Sequence, residues 1–172
     1  MWQALFVVAA AALVFGFMIV EAIRAARNER AQRARGGIEP AGDVYSLMRI
    51  AYPASFAAMI TEGAIRGGSS RAALVAGMLV FAAAKALKWW AIVSLGVSWT
   101  FRVIVVPGSR RIASGPYRWL RHPNYVAVVG EMAGIGLATG ARVSGPVALL
   151  VFATLLVKRI AVEERALRTS TR

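Results

Sequence analysis

Long apolar stretches constrain the fold of this chain more than any other feature of its sequence. Each is about as long as the hydrocarbon core of a bilayer is thick, and they span residues 2–20, 44–65, 72–99, 123–140 and 143–162. Hydrophobic residues make up 58% of the chain, whereas a soluble domain is roughly half apolar. The sequence therefore predicts an all-α, polytopic membrane bundle of about five transmembrane helices with a C-terminal helical hairpin. We expect one integral-membrane domain over residues 1–172.

Charged residues interrupt some of these stretches. Those inside the second, third and fourth stretches are Arg49, Glu62, Lys85, Lys88 and Glu131. A break at the two lysines would leave halves too short to span, at about 1.5 Å rise per residue, so one long helix is favoured there. Lys85 and Lys88 share a helix face, and they either snorkel to the interface or face the bundle interior.

Glu131 and the glycines around it lie within the fourth apolar stretch. An acid at this depth normally has a partner, and two remain open: a cofactor amine or adenine, and a structural hydrogen bond to an arginine or tryptophan. The glycines are spaced as small-xxx-small pairs, which favour close packing of membrane helices, and they are Gly130, Gly134, Gly136 and Gly140. We interpret them as packing residues, because a glycine-rich nucleotide loop follows a strand.

The net charge is +13, and the positions of the basic residues indicate a membrane orientation. Connectors 24–43 and 100–122 carry five arginines each, whereas connectors 66–71 and 141–142 carry two and one. Lysine and arginine mark the cytoplasmic side and attract anionic lipid, so we expect the N-terminus outside and the C-terminus inside. Nucleic acid is not an expected partner, because no aromatic-basic groove or reader motif is present.

Composition also excludes several kinds of chemistry. The chain has no cysteine, so disulfides, thiolate catalysis and cysteine–metal sites are excluded. It has one histidine, which disfavours a zinc site, and we expect no bound metal. No internal repeat is apparent.

The densest group of polar and aromatic residues lies between the third and fourth stretches, at residues 115–125. We call this segment the polar knot. Pro123 suits the first turn of a helix, which places His122 and Asn124 at a helix N-terminus, where free N–H groups and the dipole attract anions. The alternative is an ordinary loop before a proline-initiated helix.

The same segment offers groups for both ends of a zwitterionic ligand. Tyr117, Trp119 and Tyr125 present π faces that suit a cation such as a sulfonium, and Arg121 adds an anion contact. A ligand with a cationic centre and a carboxylate would match this combination, and S-adenosylmethionine is one such ligand.

The last apolar stretch carries a second pair of candidate residues. Arg159 and Glu163 are four residues apart, which puts them on one helix face near the expected cytoplasmic end. They are candidates for binding or catalysis. The alternatives are a helix-end ion pair, which is common and weak, and a snorkelling arginine beside a solvated acid.

Several short motifs follow one another through the C-terminal half of the chain. They are Trp99-Thr100, Pro107-Gly108, Gly115-Pro116-Tyr117, Arg121-His122-Pro123-Asn124-Tyr125, Glu131, Arg159-Ile160, Glu163-Glu164 and Leu167. In order and spacing they resemble the isoprenylcysteine carboxyl methyltransferase family of integral-membrane enzymes. The segment 90–96 is similar to a bacterial branch whose members O-methylate alkylpyrones or alkylresorcinols.

The resemblance implies a helical membrane enzyme that uses S-adenosylmethionine. It implies a cofactor site mainly within residues 102–125 and 159–164. Arg159 and Glu163 would be catalytic, with Arg159 also binding the acceptor and Glu163 also touching the cofactor. The other cofactor-binding residues that it implies are Ser109, Arg110, Arg111, Ile112, Tyr117, His122, Pro123, Asn124 and Tyr125.

We therefore expect an S-adenosylmethionine-dependent O-methyltransferase of the bacterial inner membrane, with its cofactor site on the cytoplasmic side. Its acceptor would carry an acidic oxygen, as in an isoprenylcysteine carboxylate, an alkylpyrone or a phenol. Expected partners are a lipophilic small molecule or prenylated substrate from the bilayer, and membrane lipids. Two alternatives stay open, namely a phospholipid N-methyltransferase and a non-catalytic basic membrane scaffold.

Overall fold

The computed structural model describes residues 2–109 and 112–170. Within them the chain forms five α-helices and no β-strand. The helices are α1 (Trp2–Ala34), α2 (Tyr45–Arg66), α3 (Arg71–Leu95), α4 (Pro123–Thr139) and α5 (Ser144–Ser170). Two short 3₁₀ helices, Gly96–Ser98 and Gly115–Arg118, lie between α3 and α4. The prediction of an all-α fold is confirmed.

Three stretches of the described chain are long and apolar enough to cross a membrane, judged by length and composition. They are Val7–Ala34, Arg71–Ser98 and Ser144–Ala166. The 17 residues of α4 measure about 26 Å at 1.5 Å per residue, less than a hydrocarbon core of about 30 Å, and α2 carries Arg49 and Glu62. Every predicted stretch is thus helical, whereas the predicted count of five transmembrane helices is not confirmed.

The largest difference from the expected boundaries is at α1. Its apolar pattern ends near Val20, yet the helix continues through much of the arginine-rich connector. Tertiary contacts stabilise the added turns, because Asn28 Nδ2 donates to the Trp99 carbonyl over 2.7 Å. One turn later, Gln32 Nε2 donates to the Val97 carbonyl over 3.0 Å. The 3₁₀ helix and Trp99 that follow α3 thus supply acceptors for polar side chains of α1.

The two arginine-rich connectors lie against each other at one end of the bundle. Ile38 and Val105 form an isolated antiparallel bridge with N···O distances of 2.9 and 3.0 Å. Arg102 Nη1 donates to Glu39 Oε1 over 2.7 Å. Burial raises the pKa of Glu39, but hydrogen bonds from Arg33 and Arg102 outweigh it, so this pKa lies below its usual value. The connectors therefore share one side, as the alternation of helices predicts.

Glycines let α4 approach its neighbours closely. A Cβ atom built on Gly77 of α3 would lie 2.5 Å from the carbonyl oxygen of Gly134, and one on Gly134 would lie 2.6 Å from Phe81 N. A Cβ atom on Gly63 of α2 would lie 2.5 Å from the carbonyl oxygen of Thr139. Backbone atoms occupy the space of a side chain at each position, which confirms the predicted packing role for Gly134.

A short turn joins α4 and α5 into the expected C-terminal hairpin. Gly140 ends α4 with a left-handed φ of 71°. The carboxylate of Glu62 on α2 caps the next helix, since it accepts the N–H groups of Val143 and Ser144 over 3.1 and 2.7 Å. Such a carboxylate satisfies free donors and complements the helix dipole. This cap fixes the start of α5, whose other end reaches the connector side.

We expect Gly134→Ala to destabilise the protein, because its methyl group would meet backbone atoms of α3. Overpacking of this kind costs about 1–3 kcal/mol and should lower the midpoint of thermal unfolding in detergent. Gly16→Ala is the matched control, since a Cβ atom there meets no heavy atom within 4 Å. Equal midpoints for the two variants would contradict the close contact.

Candidate functional site

A cavity of about 870 Å³ extends from the connectors into the helical bundle. Small-molecule sites usually measure about 300–1,000 Å³. Polar and aromatic groups line its connector end. Its inner walls are largely apolar and include Met18, Met48, Val128, Phe152 and Leu156, from α1, α2, α4 and α5. The cavity therefore suits a polar ligand or ligand group at its connector end and a lipophilic one inside the bundle.

The polar knot reaches this cavity because a tight turn packs it against α3. Gly115 has a φ of 58°, and a Cβ atom on it would lie 2.0 Å from Ser94 Oγ, so a larger residue does not fit. The 3₁₀ helix that follows brings Tyr117 to the cavity wall. Pro123 then begins α4 with His122 in the capping position, which confirms the helix start predicted from the proline.

Tyr117 is largely withdrawn from solvent. Burial raises the pKa of its hydroxyl, and the nearby negative charge of Glu163 raises it further. The phenol therefore stays protonated at physiological pH, and it offers the cavity a neutral aromatic face and an O–H donor.

Tyr125 links two charged residues of α5 at the connector end of the cavity. Its hydroxyl donates to Glu163 Oε2 over 2.6 Å and accepts from Arg159 Nε over 2.9 Å. Arg159 and Glu163 thus share a phenol, and they do not form the direct helix-end ion pair that was one alternative from their spacing. The network joins α4 to α5 within the site.

Arg159 is held from two further directions. Its Nη1 lies 2.9 Å from Asp43 Oδ1, and its Nη2 donates to the carbonyl of Phe101. This ion pair is buried, with side-chain exposures of 6% for the arginine and 3% for the aspartate. Asp43 is fixed in turn, because its Oδ2 accepts from Val103 N over 2.9 Å. A guanidinium has five N–H donors, so Arg159 keeps two for a ligand in the cavity that it lines.

His122 stacks on Tyr125 and lies near two carboxylates. The two rings have centroids 5.4 Å apart and planes inclined by 16°. Its Nδ1 is 4.0 Å from Glu163 Oε2 and its Nε2 is 3.7 Å from Glu164 Oε1, and both distances are too long for hydrogen bonds. Nε2 is buried and has no hydrogen-bond partner in the described part of the chain, so this nitrogen is available to a ligand.

Most of the predicted site residues come together around this cavity. Those that line it are Ser109, Ile112, Tyr117, His122, Asn124, Tyr125, Arg159 and Glu163. Pro123 is buried and fixes the start of α4 instead of lining the cavity. Arg110 and Arg111 lie outside the described residues. The roles of all these residues in binding and catalysis stay predictions.

Sequence patterns do not indicate every residue of the site. Asp43 precedes α2 like an ordinary capping residue, and its Oδ1 does accept from Tyr45 N over 3.1 Å. Its second role depends on Arg159, which lies 116 residues away, and no local pattern carries that information. Trp99 donates its Nε1 to Asn124 Oδ1 over 3.3 Å, and its place in the family motifs is the signal that points to it.

The ionisable residues of the apolar stretches face one another inside the bundle. Lys85 and Lys88 both contact Glu21 and Glu131, so the lysines face the interior and do not snorkel. Tyr52 of α2 also donates its hydroxyl to Glu131. An arginine or tryptophan partner for Glu131 is therefore wrong, because two ammonium groups and a phenol surround its carboxylate.

The polar knot and the charged residues of α5 lie within a part of the chain that matches a known family. Residues 75–169 match the model of the isoprenylcysteine carboxyl methyltransferase (ICMT) family, which is more than half of the 172 residues. The chain belongs to the isoprenylcysteine carboxyl methyltransferase family. The resemblance inferred from the short motifs is thereby confirmed, and membership of this family makes the protein a membrane methyltransferase.

Two relatives of this family member are similar to it over most of their length. The uncharacterized protein YpbQ of Bacillus subtilis is 30% identical over 144 residues, which cover 84% of this chain and 86% of the relative. An uncharacterized protein of Haemophilus influenzae is 28% identical over 142 residues, which cover 82% and 83%. No solved structure matches the chain significantly. The names of these relatives give no methyl acceptor.

We expect Asp43→Asn to destabilise this methyltransferase strongly, since it leaves the buried guanidinium of Arg159 without a counter-charge. Breaking a buried ion pair from one side costs about 3–5 kcal/mol. Glu39→Gln is the matched control, because Glu39 pairs with Arg33 and Arg102 closer to solvent, where a pair contributes about 0–1 kcal/mol. Thermal unfolding in detergent measures both effects. A larger loss for the control would contradict the buried pair.

Proposed function

We propose that this family member is an S-adenosylmethionine-dependent O-methyltransferase of the bacterial inner membrane. Its acceptor is a lipophilic molecule with an acidic oxygen, such as an isoprenylcysteine-like carboxylate or the hydroxyl of an alkylpyrone or phenol. One observation carries the proposal: a single cavity joins the aromatic polar knot and the carboxylates of α5 to an apolar interior, and Arg159 lines it.

The connector end of the cavity fits S-adenosylmethionine chemically. Tyr117, His122 and Tyr125 offer aromatic faces that attract a sulfonium. Glu163 and Glu164 are half-buried carboxylates that suit an ammonium group, and the buried Nε2 of His122 is free to bond. When bound, S-adenosylmethionine supplies an electrophilic methyl group on its sulfur.

Residues of the chain provide the other requirements of methyl transfer. An acidic oxygen ionises without a strong base, so the site has mainly to orient it, and orientation can supply most of the rate. Arg159 has donors left for that oxygen, and Tyr125 and Asp43 hold its guanidinium in place. Apolar side chains such as Met48 and Leu156 line the inner cavity, where they suit the lipophilic part of the acceptor and exclude water.

The membrane orientation is part of the same proposal. The arginine-rich connectors face the cytoplasm, since positive charge marks that side, and the N-terminus lies outside. The cofactor end of the cavity then opens where nucleotide-derived cofactors are found, while the acceptor arrives laterally from the bilayer.

We expect the detergent-purified protein to bind S-adenosylmethionine saturably in a calorimetric titration. His122→Ala and Tyr125→Ala should each weaken this binding by roughly two- to thirtyfold, the equivalent of about 0.5–2 kcal/mol for one aromatic face. Thr154→Val is the control, because its hydroxyl bonds the Leu150 carbonyl within exposed turns of α5. Folded wild-type protein that shows no saturable binding would refute the cofactor assignment.

Arg159→Lys should separate acceptor chemistry from cofactor binding. Lysine keeps a positive charge beside Asp43 but loses the planar fork of donors. We therefore expect unchanged affinity for S-adenosylmethionine and a loss of about a hundredfold or more in methyl transfer, followed with radiolabelled cofactor and a long-chain alkylphenol. Lys158→Met, an exposed change on the same helix, is the control. A fully active Arg159→Lys would remove the assignment, and methylation of lipid amines alone would indicate a phospholipid N-methyltransferase.

A further inference from the structure

Four charged residues are buried together inside the bundle, apart from the α5 residues of the proposed site. We call them the ion cluster, and they are Glu21 of α1, Lys85 and Lys88 of α3, and Glu131 of α4. Lys85 Nζ lies 2.6 Å from Glu21 and 3.1 Å from Glu131, and Lys88 Nζ lies 2.7 and 3.3 Å from the same two carboxylates. All four residues are buried, and their formal charges cancel.

Stability alone explains the ion cluster poorly. Replacing buried ion pairs by apolar residues of similar volume is often neutral or stabilising, whereas ionisable residues inside membrane helices usually mark functional sites. The cluster also adjoins the cavity of the proposed site. Glu21 and Lys88 line that cavity together with Tyr52 of α2, whereas Lys85 does not. The cavity therefore has a second polar region, on the side away from the connectors.

Lys88 has hydrogen-bonding capacity left for a ligand. An ammonium group carries three N–H donors, and its contact with Glu21 has a normal hydrogen-bond length of 2.7 Å. Its contacts with Glu131 Oε2 and the Tyr52 hydroxyl are 3.3 and 3.4 Å long, beyond the usual range of about 2.7–3.2 Å. An oxygen atom of a ligand in the cavity can therefore accept a hydrogen bond from the Lys88 ammonium group, while Glu21 remains its counter-charge.

The ion cluster and Arg159 mark the two ends of an apolar section of the cavity. Tyr125, which binds Arg159, and Glu131, which binds Lys88, are six residues apart on α4, or about 9 Å at 1.5 Å per residue. Val128 lies between them and lines the cavity. The two polar regions are thus separated along α4 by less than two helical turns, with an apolar section between them.

We propose that Lys88 forms a second polar subsite for the methyl acceptor, with Glu21 and Tyr52 positioning its ammonium group. The subsite binds a hydrogen-bond-accepting oxygen of the acceptor other than the oxygen that is methylated. This inference rests on the proposed function and narrows its substrate class. The acceptor carries two oxygen groups on a lipophilic body, and an acceptor with a single polar group leaves the subsite without its ligand.

Two probes that differ by one hydroxyl test the subsite: a long-chain alkylphenol and the alkylresorcinol with the same chain. The readout is the dissociation constant of each probe with the detergent-purified protein, so it does not depend on turnover. We expect the wild-type protein to bind the alkylresorcinol about tenfold more tightly, which corresponds to about 1.4 kcal/mol. Lys88→Met should bind the two probes equally.

Lys85→Met is the matched control for this experiment. Lys85 belongs to the same helix and the same ion cluster and is similarly buried, but it does not line the cavity. A structural disturbance of the cluster would affect both variants, whereas a ligand contact is lost in Lys88→Met alone. The double variant Glu21→Gln with Lys88→Met keeps the cluster neutral, and it provides the measurement if the single variant does not fold.

The subsite is overturned if the wild-type protein shows no preference between the probes or binds neither of them. It is also overturned if the preference survives in Lys88→Met, or if Lys85→Met loses it to the same extent. Failure of the proposed function gives a different pattern, because it is read from the titration with S-adenosylmethionine and from methyl transfer. If the protein prefers the alkylresorcinol yet binds no S-adenosylmethionine, the result supports the Lys88 subsite and refutes the methyltransferase proposal.

Discussion

The contact between the backbones of α3 and α4 determines where the polar groups of this protein can lie. Gly77 and Gly134 bring the two helices so close that no side chain fits between them. Because α4 is fixed in this way, Glu131 reaches the lysines of α3. At the N-terminal end of the same helix, Tyr125 reaches both Glu163 and Arg159 of α5. One helix thus contributes to both polar regions of the cavity.

Both regions combine residues from inside and outside the part of the chain that matches the family. The family match begins at residue 75, so it contains the polar knot, α4 and the charged residues of α5. Three residues that precede the match contact residues within it. Glu21 contacts the two lysines, Asp43 contacts Arg159, and Tyr52 contacts Glu131. The positions of Arg159 and Lys88, which are assigned to the acceptor, therefore depend in part on residues outside the matched part.

Local patterns predict the helices and the polar knot well, because both are determined within short segments. A run of about twenty apolar residues favours a helix wherever it occurs, and Pro123 marks a helix start by its own geometry. Such local patterns carry no information about contacts between distant segments. The extension of α1 depends on carbonyl groups near Trp99, and the partner of Asp43 is on the last helix. The spacing of Lys85 and Lys88 indicates a shared face, but the acids opposite them come from α1 and α4.

The continuity of α1 has a mechanical consequence. This helix is unbroken from its apolar first half to its polar last turns, and there Asn28 and Gln32 donate to carbonyl groups of the segment that follows α3. The segment that follows carries the Phe101 carbonyl, which binds Arg159. A rigid helix changes its tilt with the thickness of the surrounding lipid, and here hydrogen bonds connect α1 to the loop beside Arg159. Bilayers of different thickness would thus strain the surroundings of Arg159 differently, which would make the geometry of the proposed site sensitive to lipid composition.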